Sequence, residues 1–143
     1  MSNLILRSAL ISALALCVAA LPAPNAHAPT RAPQRLSEFG FFQGKIADLK
    51  PAPRVWPYEV NAPLFSDYAE KARFVYLPEG TAMQYRPDHA FELPTGAALI
   101  KNFYYPHEAT APEKSRRILE TRILLKEPDG WRSLEYIWSD DQS

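Results

Sequence analysis

The sequence predicts an all-β, or mostly β, domain: an antiparallel β-sandwich with short helical turns near its N-terminus. Three observations carry this expectation. Fourteen prolines in a 143-residue chain, ten of them beyond Phe39, leave little room for a long helix from Phe39 onward. Beyond Arg73 the apolar residues recur with a period of two. Two such segments flank Pro128-Asp129-Gly130, as the arms of a hairpin do. A chain with 47% apolar and 22% charged residues at zero formal net charge is globular, which excludes wholesale disorder and speaks against a basic nucleic-acid binder.

The N-terminus has a different character. Every acidic and aromatic residue lies at or beyond Glu38, whereas residues 1–28 carry one charge, Arg7. Arg7 precedes an apolar run from Ala9 to Leu21, and Ala26-His27-Ala28 supplies a small-x-small cleavage pattern. Residues 1–28 therefore read as a Sec signal peptide. The apolar run falls short of the roughly 20 residues that span a bilayer, so no stable membrane anchor is expected after cleavage and the predicted location is the periplasm. Leu16 stands before Cys17, where a lipoprotein signal needs a small residue. Without Cys17 the exported domain has no cysteine, so its core and its aromatics must hold it without disulfides.

Residues 29–37 read as a Pro-rich tether and residues 38–143 as one β-rich domain. Leu36 to Phe42 can form a short helical turn capped by Ser37 and ended by Gly44. Pro51, Pro53, Pro57 and Pro63 then keep the chain irregular or extended through Phe65. Asp67 to Lys71 is a second helical candidate, with Ser66 or Asp67 as its cap. Arg73–Leu77 reads as a strand ended by Pro78-Glu79-Gly80, followed by shorter strands at Ala82–Tyr85 and Ala90–Leu93. Ala97–Tyr105 is a strong strand whose run Ala97-Ala98-Leu99-Ile100 predicts burial on both faces. The hairpin arms are Ile118–Leu125 and Trp131–Trp138. A register that sets Leu125 opposite Leu134, Ile123 opposite Tyr136 and Thr121 opposite Trp138 gathers the apolar residues on one face and Glu120, Arg122, Lys126, Ser133 and Glu135 on the other.

Signals for chemistry are sparse. His89 beside Asp88 and His107 beside Glu108 are weak metal-ligand candidates, because neither has the local spacing of a chelate. No G-x-S-x-G elbow accompanies Ser66-Asp67, and neither a P-loop nor a G-x-G-x-x-G phosphate cradle occurs. No catalytic residue and no cofactor is assigned within the chain. The candidate binding residues are Trp56, Tyr58, Asn61, Asp67, Glu70, Lys71 and Arg73, aromatics in the company of charges that can stack on a partner's apolar patch. The same charges also read as a solvated rim.

The run from Pro57 through Arg73 with Asn61-Ala62-Pro63-Leu64-Phe65-Ser66-Asp67-Tyr68 at its centre, then Leu77-Pro78-Glu79-Gly80-Thr81, Phe91-Glu92-Leu93-Pro94-Thr95-Gly96, Leu99-Ile100-Lys101-Asn102-Phe103, Glu120-Thr121-Arg122 and Trp138-Ser139-Asp140-Asp141-Gln142, resembles the N-terminal domain of an exported bacterial family labelled as uncharacterised repeat proteins or diheme c-type cytochromes. The resemblance implies haem c held by C-x-x-C-H motifs downstream of Ser143, outside this sequence, and a periplasmic c-type cytochrome domain or redox partner. Two functions follow as expectations: a non-catalytic periplasmic binding or docking module, or a hydrolytic or metal-dependent enzyme domain using His89, His107 and nearby carboxylates.

Overall fold

The computed structural model describes residues 32–108, 110 and 115–142; the expected signal peptide and the first residues of the tether lie outside them. The fold is mostly β. Five strands, β1 (Val55–Pro57), β2 (Glu70–Tyr76), β3 (Ala98–Pro106), β4 (Arg116–Glu127) and β5 (Gly130–Ile137), form one antiparallel sheet in sequence order. The described helical structure is two 3-10 turns, Leu36–Phe39 and Ile46–Asp48.

Alternation along the strands gives the sheet an inner and an outer face. The inner face carries rows that run across it from strand to strand, such as Phe74, Ile100, Ile123 and Leu134. Ile100 and Ile123 are completely buried. No second sheet closes this face among the described residues. Residues 36–52 cover it instead, with Leu36, Phe41 and Leu49 in the core and Phe39, Phe42 and Ile46 packed beside them. Rings fix the wrap: Phe39 stacks on Phe41 at 4.9 Å between centroids, and Phe42 meets Phe74 edge-on at 5.2 Å. Coil and two 3-10 turns suffice for this layer because the chain can follow the sheet surface while its large side chains exclude water.

Ala97, Ala98 and Ile100 are fully buried, and Leu99 packs on the second cluster of Val75, Leu77 and Ala97, as the apolar run predicts. Four local expectations need correction. The first turn is entered at Arg35, whose amide donates to Glu38 Oε1 at 3.0 Å, and it ends at Gly40 with φ +66°, not between Ser37 and Gly44. No helix forms over Asp67 to Lys71. Asp67 and Tyr68 adopt left-handed φ values of 45° and 62°, and β2 already begins at Glu70. Ala82–Tyr85 and Ala90–Leu93 shrink to one bridge, in which Gln84 and Glu92 exchange backbone hydrogen bonds of 2.9 and 3.0 Å.

The fourth correction is the hairpin register. Thr121 lies opposite Tyr136, Ile123 opposite Leu134 and Leu125 opposite Arg132, a slip of two residues that preserves both faces. Glu127 pairs with Gly130, so Pro128 and Asp129 form the turn. Neither Asp129 nor Gly130 has positive φ, so this is not the primed turn that Asp-Gly suggests. The cause is Pro128: its φ is fixed near −65°, which suits the first central position of an unprimed turn, and its missing amide removes it from the ladder.

Candidate functional site

The outer face is asymmetric. Towards β1 and β2 it is covered by Tyr58 and Leu93, which pack with Val75, Leu77, Ala97 and Leu99. Towards β4 and β5 it is open, leaving Leu124, Trp131 and Ile137 exposed, the last at 75%.

Across the middle of this face the pairing sets Arg73 of β2 directly opposite Lys101 of β3, and Lys101 directly opposite Arg122 of β4. Three cations on adjacent strands thus share one row. Like charges at directly opposed positions destabilise a sheet, so neighbouring groups must offset this arrangement. Arg73, buried at 8% exposure, has Glu59 at 3.6 Å. Arg122 binds Glu120 on its own strand and Glu135 of β5 at 3.1 Å. Lys101 has no carboxylate within 4 Å among the described residues; its ammonium lies 4.6 Å from the centroid of Phe103, which also receives the Arg122 guanidinium at 5.2 Å. Partial burial, with the charges of Arg73, Arg122 and Lys71 added, lowers the Lys101 pKa from its usual value.

The carboxylates beside the row are unequal. Hydrogen bonding from Arg122 holds Glu120 below the usual range, whereas sharing a hydrogen bond with Glu120 and repulsion by its charge raise Glu135. Tyr58 is pushed up by burial, against the pull of Arg73.

Of the residues singled out in the sequence, Trp56, Lys71 and Arg73 project from the outer face, with Tyr58 beside Arg73, whose carbonyl accepts the Tyr58 amide at 3.0 Å. Lys71 donates to the Leu64 carbonyl at 2.7 Å and so pins the 58–69 loop to β2. Glu70 falls on the opposite face by alternation. Asn61 and Asp67 are exposed in the loop, and the Asp67 carbonyl accepts from the Tyr105 hydroxyl at 3.2 Å. Beside it Phe65 and Tyr68 meet edge-on at 5.1 Å, both largely exposed.

The two histidines do not meet. His89 lines an open cleft of about 380 Å³ with Arg86, Glu92, Lys126 and Trp131, at the end of the sheet where β3 begins. His107 follows the last residue of β3, and nine strand residues put roughly 30 Å between these ends. Among the described residues no group of three or more His, Cys, Asp or Glu side chains could hold a metal ion. None of their helices is long and apolar enough to cross a membrane.

Sequence reading misses Lys101, Phe103, Arg122, Lys126 and Trp131 as site residues. The signal available was the hairpin's polar face, which holds Arg122 and Lys126, but only the β2–β3 register joins it to Lys101 and Arg73. Comparison of the chain with protein-family models, with curated proteins and with solved structures returns no match.

Proposed function

We propose that the chain is a non-catalytic binding or docking module, exported to the periplasm and serving a c-type cytochrome or related redox partner. The observation that supports docking is the basic row, whose Lys101 and Arg122 lie towards the open part of the outer face while Arg73 is buried beside Lys101. A central lysine with a cation on each neighbouring strand costs stability, and such a cost is offset when a partner brings a carboxylate to it. Phe103 beneath the cations and Leu124 beside them supply the apolar contact that a charged rim alone lacks. The partner fitted by this face has an acidic surface patch with apolar residues at its centre. The cytochrome part of the reading rests on the sequence resemblance.

A hexaglutamate peptide tests the anionic preference. Titration followed by NMR is expected to shift Lys101, Phe103 and Arg122, and Lys101→Glu is expected to weaken binding at least tenfold. Shifts elsewhere, or none, would overturn the site. Affinity purification of the full chain from its native periplasm with haem staining tests the partner: a haem-bearing chain retained by the wild type and lost with Lys101→Glu supports it. Equal retention by both chains, or retention of no haem, refutes it.

A further inference from the structure

The two edges of the sheet are treated differently. The β1 edge is blunted: that strand has three residues and ends in Pro57, which has no amide to offer. The β5 edge is not. It runs eight residues without proline, and its register to β4 shows no irregularity.

The hydrogen-bond phase of β5 follows from one bond. The Trp138 amide donates to the Leu119 carbonyl at 3.0 Å, so even-numbered residues of this strand face β4 with their backbone groups. The odd-numbered residues, Trp131, Ser133, Glu135 and Ile137, therefore point their amides and carbonyls away from the sheet. All four are exposed, and no backbone partner for them occurs among the described residues.

We propose that this edge pairs with the same edge of a second copy, antiparallel about a two-fold axis through Leu134. The register follows from satisfying every outward group. With the axis at Leu134, Trp131 lies opposite the second copy's Ile137 and Ser133 opposite its Glu135, so all four residues of each strand are paired. An axis at Ser133 leaves Ile137 over. An axis at Glu135 leaves Trp131 over and sets two Glu135 carboxylates against each other, a destabilising pair.

The chosen register is also the one in which side chains agree on both faces. On the outer face the exposed Trp131 covers the second copy's exposed Ile137, removing two apolar groups from water twice over. On the inner face Leu134 meets its own copy, and Arg132 lies opposite the second copy's Tyr136. No like charges are directly opposed. The edge is thus self-complementary in backbone, in apolar contact and in charge, which is what an isologous interface requires.

The test uses the full chain with Cys17→Ser. Sedimentation across a concentration series is expected to show a reversible dimer. Ser133→Pro, which removes an amide that the chain itself does not use, and Ile137→Lys, at a side chain already exposed, are each expected to weaken it at least tenfold. Register is read by mixing Ser133→Cys chains with Glu135→Cys chains under mild oxidation. These positions face each other at the Cα spacing of about 5.5 Å that a disulfide accepts, so mixed crosslinks should exceed either homodimeric crosslink. A monomer at all concentrations, a dimer indifferent to both substitutions, or homodimeric crosslinks in excess would overturn the proposal.

Discussion

The inner face holds one buried polar chain, and a double-mutant cycle on it tests how the sheet is specified. Asn102 and Thr121 are opposed on β3 and β4, and both are completely buried. The Thr121 hydroxyl donates to Asn102 Oδ1 at 2.6 Å and accepts from Trp138 Nε1 at 2.9 Å. Asn102 Nδ2 donates to the Ala72 carbonyl on β2 at 3.4 Å, so the chain ties three strands and the Trp138 ring. Thr121→Val keeps the shape of the side chain but removes both hydroxyl bonds, each worth about 1 kcal/mol net, and leaves Asn102 Oδ1 without its donor at about 1–3 kcal/mol. The expected loss is about 3–5 kcal/mol. Adding Asn102→Leu removes the orphaned acceptor, so the double variant should lose only about 1 kcal/mol, much less than the two single losses combined. Urea titration at constant slope is the assay. Additive losses, or a Thr121→Val variant within 0.5 kcal/mol of wild type by the same measure, would show that water or a rearranged Asn102 replaces the hydroxyl.

Three other outcomes are expected. Trp138→Ala should cost about 3 kcal/mol, because the ring packs on the core, while Arg122→Ala on the exposed face should cost about 1 kcal/mol or less; denaturant titration of both tests the assignment of faces. Gly96→Ala should destabilise by about 1 kcal/mol or more, since φ is +87° and the added Cβ meets Pro78 Cγ at 3.0 Å, whereas Gly130→Ala, outside the left-handed region and with open space, should stabilise by about 0.4–1 kcal/mol through the lower entropy of the unfolded chain. Glu120 titrates below the usual glutamate value, so its contribution to stability is complete above that value and is lost as pH falls through the lower folded one. In Arg122→Ala its titration, followed by carbon-13 NMR, should move up, and an unmoved Glu120 would deny Arg122 the cause.

Strands β2 to β5 were legible because burial writes a period of two into Arg73–Leu77 and the hairpin arms, and a continuous apolar run into Ala97–Ile100. Register was legible only to the face. A slip of two leaves every side chain on its side of the sheet, so hydrophobic segregation cannot detect it; the constraint that decides is local, the fixed φ of Pro128. The turn at Asp67-Tyr68 was illegible for a related reason. Its residues suit a helix start, yet they adopt left-handed backbone, and β2 begins two residues later with Glu70 opposite Tyr104. The basic row was hidden more deeply, since Arg73, Lys101 and Arg122 come from three strands far apart in sequence. Only pairing makes them neighbours. Residues 56–73 are one aromatic and charged run in the sequence, yet the fold sends Glu70 to one face and Lys71 and Arg73 to the other.

The docking face and the β5 edge draw on different physics, and that makes them separable. In the proposed dimer Glu135, at the end of the basic row, lies opposite the second copy's Ser133, at the end of the row of Val75, Leu99 and Leu124. Each basic row thus meets an apolar row across the axis, and the two sets of cations do not face one another. Backbone hydrogen bonds and the Trp131 to Ile137 contacts carry the pairing, and both are nearly indifferent to ionic strength. Anion binding by Lys101 and Arg122 is screened over a Debye length of about 8 Å at physiological salt and about 3 Å at 1 M. Raising salt across this range should therefore release the acidic peptide while leaving the dimer constant within about twofold. Parallel loss of both would mean that the edge is held by charge, for instance through Glu135, and that the apolar register derived for it is wrong.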